Sequence, residues 1–374
     1  MHGTPFVRIT ISVIIFSFLC YSGLFGQKKA EVEVDVAKCW EYPLAAGERI
    51  AVDGGSVFVG SDGAKVKALS LQGKTVWSSE FGGEIASGLV VAENGLFLVT
   101  SAVSTDSAKS TGSRLRSVSK DTGITSWTLP LPDADQHFLS VFSESIIVVS
   151  KSGAVQSVDA KKGEVKWTRQ IAAGFMAQPA FSAASVVVAT TDKQIFRVSL
   201  ATGEIESMRK VQQAVTALAA AADGELIVGD ERGNVSLLNG KDRPNWTFKS
   251  GGEISHLIST GDQVLAASHD NFVYFLADRN GGRIWKKRLS GRVAQIAIVG
   301  DRYALISSFE EHGVMLIDVS SGKVAGQIAF GEDENLVAAP IATRDQIFAV
   351  TNDAAYSYRI GGCSPEKTKA AASP

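Results

Sequence analysis

Hydrophobic and polar residues alternate along most of this chain in short runs, and the runs end at similar turns. KVKALSLQGKTVW ends at Trp77, RLRSVSKDTGITSW at Trp127, AVQSVDAKKGEVKW at Trp167 and FVYFLADRNGGRIW at Trp285. A period of two is the signature of a β-strand with one packed face and one wetted face. In AVQSVDAKKGEVKW, Val155, Ser157 and Asp159 oppose Gln156 and Val158, which predicts a half-buried strand. Gly73, Gly123, Gly163 and Gly281 each stand four residues before the tryptophan. A glycine there supplies a positive-φ turn into the next strand. Weaker copies lie between these. QIFRVSLATGEIES keeps Gly203 but has Ser207 at the tryptophan site. NVSLLNGKDRPNW keeps Trp246 but has Asp242 at the glycine site. GVMLIDVSSGKVAG keeps Gly322 and has Gly326 at the tryptophan site.

The tryptophan-register positions are 77, 127, 167, 207, 246, 285 and 326, so the steps are 50, 40, 40, 39, 39 and 41. A repeat near 40 residues in a strand-rich pattern predicts the blades of a β-propeller. Two further strand-like runs separate successive copies, such as AQPAFSAAS and VVVATT after Trp167. Each blade therefore has four strands: inner, second, third and outer. A single blade cannot bury both faces, and a large aromatic on the outer strand fills the gap to its neighbour. Seven units carry their own outer strand. An eighth, residues 335–362, runs out into the polar SPEKTKAAASP. Its missing outer strand is expected from AKCWEYPL, with Trp40 in the tryptophan role, which closes the ring and removes the free edges. The expected fold is all-β: an eight-bladed propeller of four-stranded antiparallel blades spanning residues 36–363.

Composition agrees with that picture. The chain of 374 residues has 36 Gly and 9 Pro, which suits many tight turns. A net charge of −2, with no long run of one sign, gives no nucleic-acid surface. One region stands apart. MHGTPFVR carries one Arg, Ile9 to Cys20 is apolar, and YSGLFG follows. That order predicts an export signal over residues 1–26, then a linker over 27–35. Cleavage removes only Arg8 among the charges, leaving 36 basic against 39 acidic residues, a balance of −3. Two other fates stay open: an uncleaved anchor, because the uncharged run has 18 residues, and lipidation at Cys20, although Leu19 precedes it. Residues 364–374 are expected to form a disordered tail.

The units resemble the pyrroloquinoline quinone (PQQ)-type propeller repeat, with its strand, Thr-Gly turn and tryptophan, most plainly in DTGITSW and ATGEIES. The resemblance covers residues 36–362. No Gly-His or Trp-Asp dipeptide of the WD40 pattern occurs. It implies one of two kinds of protein: quinoprotein dehydrogenases that hold PQQ and calcium, or a non-enzymatic scaffold for outer-membrane protein assembly. The dehydrogenases resembling this fold carry adjacent cysteines over the quinone, an acidic residue and an Asn on calcium, and an Asp as base. The cysteines here, Cys20, Cys39 and Cys363, are nowhere adjacent, no CxxCH is present, and the calcium ligands match no motif. No enzyme, catalytic residue, metal or cofactor is therefore expected, with PQQ and calcium as the alternative.

Other chemistry is sparse. The histidines, at 2, 137, 256, 269 and 312, have no HxH or HxxxH spacing. His269-Asp270-Asn271 is the most site-like trio, and a surface turn between second and third strands accounts for it. Cys39 and Cys363 fall two repeat positions apart where the chain ends meet. A disulfide there, in an oxidising compartment, is the expectation, with two independent thiols as the alternative; it would stabilise the ring by about 4–5 kcal/mol in the simple loop-entropy picture. The long step between Trp77 and Trp127 holds about ten extra residues in SAVSTDSAKSTGS, 101–113, on the rim of the outer-to-inner loops. It is either a tolerated insertion or a partner-binding loop. The expectation is an exported, periplasmic or outer-membrane-associated scaffold, monomeric by itself. It would bind envelope proteins such as the outer-membrane insertase complex. A quinone-binding redox protein and a carbohydrate- or ligand-binding propeller are the alternatives.

Overall fold

The computed structural model describes residues 34–103, 110–240 and 243–363. The expected export signal, most of the linker and the C-terminal tail lie outside the described residues. Eight antiparallel sheets follow one another. Blade 1 comprises Gly47–Val52, Ser56–Ser61, Lys65–Ser70 and Thr75–Glu80, from inner to outer strand. Blade 3 repeats the plan with His137–Phe142, Ser145–Ser150, Ala154–Asp159 and Val165–Gln170. In blade 2 the inner strand is split into Glu84–Ile85 and Val90–Ala92, both paired with Gly95–Val103.

Blade 8 is a composite. Its inner three strands are Ile341–Thr343, Gln346–Val350 and Ala354–Ile360, and its outer strand is Val36–Pro43 from the other end of the chain. Trp40 faces Ser357 in that pairing, as Trp167 faces Ser157 in blade 3. The ring is therefore an eight-bladed propeller closed by its N-terminal strand.

The core is divided among the interfaces between blades. Phe275 of blade 6 packs with Ile306, Met315 and Ile317 of blade 7. At the closure, Val57, Val59 and Leu69 of blade 1 meet Phe348 and Val350 of blade 8, with Trp40 against them. Sandwiching corrects one expectation. The strand Ala154–Asp159 is not half buried: Val155, Gln156, Ser157 and Val158 are all buried, because a neighbouring blade covers each face. Second strands such as Ser145–Ser150 are buried throughout for the same reason, which is why they read as unbroken apolar runs.

Every outer strand carries a β-bulge at the residue before the tryptophan position. In blade 3, Val158 faces Val165 and Ser157 faces Trp167, leaving Lys166 extra. The same shift recurs at Val76, Ser126, Glu206, Asn245, Ile284, Ala325 and Cys39. A bulge re-aims the side chains that follow it. Here it turns the tryptophan toward the next blade. The extra residue is pushed outward at Val76 and Ile284, which accounts for two of the exposed apolar residues.

Candidate functional site

The repeat residues form a ring of reciprocal contacts. Each tryptophan seats on the turn glycine of the following blade. An added Cβ on Gly73 would lie 2.7 Å from the Trp40 ring, on Gly123 2.6 Å from Trp77, and on Gly163 2.6 Å from Trp127. The same distance is 2.5 Å between Gly203 and Trp167, and 2.7 Å between Gly322 and Trp285. Gly281 seats Trp246 in the same manner. These glycines have φ between 65° and 78°. Each indole Nε1 also donates to a carbonyl of that turn: Trp40 to Leu71 (2.8 Å), Trp127 to Ala160 (3.1 Å), Trp167 to Leu200 (3.3 Å). Trp77 donates to Lys120 and Trp285 to Val319, both at 2.6 Å, and Trp246 donates to Asp278. The aromatic contribution is thus anchored by a satisfied polar end. These residues join each blade to the next.

At the ring closure, Cys39 and Cys363 are joined as a disulfide with Cα atoms 5.4 Å apart and 324 residues between them in sequence. Cys39 occupies the bulged position of the closing strand.

One rim gathers the outer-to-inner connections and the second-to-third turns. There the blade 2 hairpin extends beyond its neighbours, because Gly95–Val103 and Ser110–Val118 have nine residues each where blade 3 has six. Their pairing continues to Val103 opposite Ser110, so the expected insertion is partly strand. Its tip, residues 104–109, lies outside the described residues. Gly112 N donates to Asp133 Oδ1 at 2.8 Å. Asp133 in turn borders a rim cavity of about 580 Å³ with Asp135, Lys151, Phe175 and Thr191. His137, in blade 3, is buried, with Nδ1 2.9 Å from Ser150 Oγ. Burial lowers its pKa to about 4, so it is neutral at physiological pH.

The His269-Asp270-Asn271 trio is a turn. Asp270 Oδ2 accepts from Gly251 N (2.7 Å) and Tyr274 Oη (2.6 Å), and Oδ1 accepts from Phe272 N (3.1 Å). Asn271 takes the left-handed conformation, with φ 65°. The carboxylate is consumed in shaping the loop.

The inner strands bound a channel cavity of about 450 Å³. Its polar lining comprises Gln178, Thr216, Ser255, His256 and Gln295, with Leu257 and Ile258 beside them. Thr216 Oγ1 donates to Ile254 O at 2.6 Å, and His256 Nδ1 lies 3.0 Å from Ser255 Oγ. Burial, then the nearby His269, lowers the His256 pKa. The cavity lining has no carboxylate, no Asn and no cysteine, so these residues do not fit a calcium-bound quinone. Three other carboxyl groups, of Glu48, Asp62 and Glu84, come within 4.8 Å of one another. Burial and the Asp62 contact raise the Glu48 carboxyl. None of these channel and rim residues belongs to a repeated motif, and the sequence marked only the 101–113 insertion and the histidines among them.

Comparison with known proteins adds the following. No curated protein sequence matches the chain. Among solved structures, BamB from Moraxella catarrhalis superposes with a TM-score of 0.69 at 16% identity, covering 88% of this chain and 99% of that one. The computationally designed Ika8 protein gives 0.69 at 14% identity, covering 84% and 96%. The C-terminal WD40 domain of Sif2 gives 0.72 at 11% identity, covering 87% and 99%. At these identities the likeness shows the fold alone. The family described as outer membrane protein assembly factor BamB, however, matches over residues 29–146, 135–209 and 206–373. With its eight PQQ-type blades and matches that run almost end to end, the chain belongs to the BamB family.

Proposed function

We propose that this chain is an exported, non-enzymatic scaffold that binds protein partners in the cell envelope, with assistance to outer-membrane protein assembly as its role. The family match over residues 29–373 carries the reading. The repeat residues supply rigidity, and the rim supplies variety: the long blade 2 hairpin and the cavity beside Asp133 and Phe175 form its most distinctive surface. Loops on a rigid frame are where binding functions concentrate. The Cys39–Cys363 bond fits a protein that works outside the reducing cytoplasm, in the periplasm or on the outer membrane's inner side. The protein acts as a monomer docked on its partners. The channel lining argues against the quinone alternative.

The test is crosslinking in living cells followed by capture of the tagged protein and mass spectrometry. Recovery of the outer-membrane insertase, lost when residues 101–113 are shortened to a tight turn, is expected. Capture of no envelope protein would overturn the proposal.

A further inference from the structure

The seam between blades 4 and 5 differs from every other seam, and the difference is visible residue by residue. Ser207 stands where six other blades have tryptophan, and Asp242 stands at the glycine position of the blade that follows. In the repeat register the tryptophan position of one blade meets the glycine position of the next, so in sequence both departures belong to the blade 4 and blade 5 pair. Opposite Ser207 stands Arg197, whose Nη1 donates to Ser185 Oγ at 3.2 Å. A long cation thus stands on the third strand, opposite the position that carries the indole in six blades.

A second substitution opens space beside it. The third-strand residue that pairs with the position after the tryptophan is long in seven blades. It is Lys67, Arg116 and Gln156 in blades 1 to 3, and Phe196 in blade 4. It is Tyr274, Met315 and Tyr356 in blades 6 to 8. In blade 5 it is Ser236, opposite Thr247. The result is a cavity of about 470 Å³ between the two blades. That volume is in the range of small-molecule sites.

Its chemistry is specific. Arg209 and Lys210 enter from the outer strand of blade 4, Gln213 from the connection, and Asn234, Ser236 and Thr247 from blade 5. Val215, Val228 and Leu238 form an apolar floor. The acid beside it, Asp230, is already engaged: Oδ1 accepts from Arg232 N and Asn234 N, both at 2.9 Å, and Oδ2 from Asn234 Nδ2 at 2.7 Å. Glu231 accepts from Ala214 N at 3.1 Å and lies 3.4 Å from Lys193 Nζ. Among the described residues, the side chains of Arg209 and Lys210 have no ion-pair or hydrogen-bond partner. Arg209 is partly buried, so its guanidinium faces the cavity with its fork uncommitted. A guanidinium fork matches an oxyanion in bidentate fashion, and the amides and hydroxyls around it match hydroxyl groups.

We propose that the blade 4–5 seam is a binding site for a small hydroxylated oxyanion of about one sugar ring, either a sugar acid or a sugar phosphate. Arg209 holds the oxyanion, and Gln213, Asn234, Ser236 and Thr247 hold the hydroxyls. The site shares no residue with the central channel or with the rim cavity beside Asp133 and Phe175.

Calorimetric titration of the full exported protein with glucuronate, glucose 6-phosphate and glucose tests this. At least one of the two anions should bind at least tenfold more tightly than glucose, and which one does so identifies the oxyanion. Arg209→Gln should remove that preference. Ser236→Tyr, which installs the blade 6 residue, should fill the cavity and abolish binding while the melting temperature holds or rises. Should that variant fail to fold, Ser236→Gln installs the blade 3 residue with the same expectation. Equal affinity for glucose and both anions, undiminished binding in the filled variants, or no saturable binding at millimolar concentration would each overturn the proposal.

Discussion

Replacing Gly163 by alanine tests whether the tryptophan seat stabilises the ring. Two costs add at this position. Its φ of 73° lies in the left-handed region, where an L-residue costs about 1–2 kcal/mol. The new Cβ would also lie 2.6, 2.8 and 3.0 Å from three atoms of the Trp127 ring. That ring cannot slide freely, because Nε1 donates to Ala160 O at 3.1 Å and Phe97 packs 5.9 Å away, centre to centre. Forced repacking costs about 1–3 kcal/mol, and loss of the indole hydrogen bond adds about 1 kcal/mol. Gly163→Ala should therefore destabilise by about 3–6 kcal/mol in total. The molecule supplies its own control. Gly63 has φ 70° with nothing within 4 Å of an added Cβ, so Gly63→Ala should show the backbone cost alone. Urea midpoints followed by circular dichroism, at unchanged m, give both numbers. A Trp127→Ala background should shrink the Gly163→Ala effect to the Gly63 level. Equal losses at Gly63 and Gly163, or strict additivity in the double variant, would refute the seat as an energetic unit.

Three further outcomes are expected. Cys39→Ser with Cys363→Ser should lower stability by up to about 6 kcal/mol, which is the loop-entropy value for a separation of 324 residues and exceeds the ~4–5 kcal/mol expected from the sequence; denaturation midpoints that do not respond to reductant would refute this. His137 has a folded pKa of about 4 against 6.5 when free, so the unfolded chain binds the extra proton between those values. Stability should be full above about pH 6.5 and fall by ~3 kcal/mol toward pH 4, and His137→Gln should flatten that part of a melting-temperature profile. Finally, deletion of residues up to Pro43 should expose the Ala354–Ile360 edge and cause self-association at micromolar concentration, measured by light scattering.

Much of this architecture was legible in the sequence because one interaction recurs in every blade that can make it. Tryptophan and glycine four residues apart give the period, and the period gives the blades and the closing role of Trp40. What could not be read is which tryptophan meets which glycine. The two residues adjacent in sequence belong to different seams: Trp167 seats on Gly203, and Gly163 receives Trp127. Ser207 and Asp242 therefore looked like two separate lapses, although they occupy matching positions of successive repeats. The bulge was hidden too, since an extra residue such as Lys166 changes no composition. The channel and the blade 4–5 cavity are made by residues scattered over several repeats, and small side chains such as Ser236 signal only by what they fail to fill.

Ring closure by the first strand also sets an order of events in the life of the chain. Cys39 leaves the ribosome 324 residues before Cys363, an interval of about 16–65 s at ordinary synthesis rates. Throughout that interval Val36–Pro43 has no native partner, while each new blade presents it with an outer edge it could wrongly join. Lys38, Glu41 and Pro43 in this strand are the residue types that discourage such pairing. Cleavage of the proposed export signal would leave only two thiols, so a misjoined disulfide within one chain would have no second cysteine to choose. The earliest segment made is the last to find its place, and the bond records that synthesis has finished.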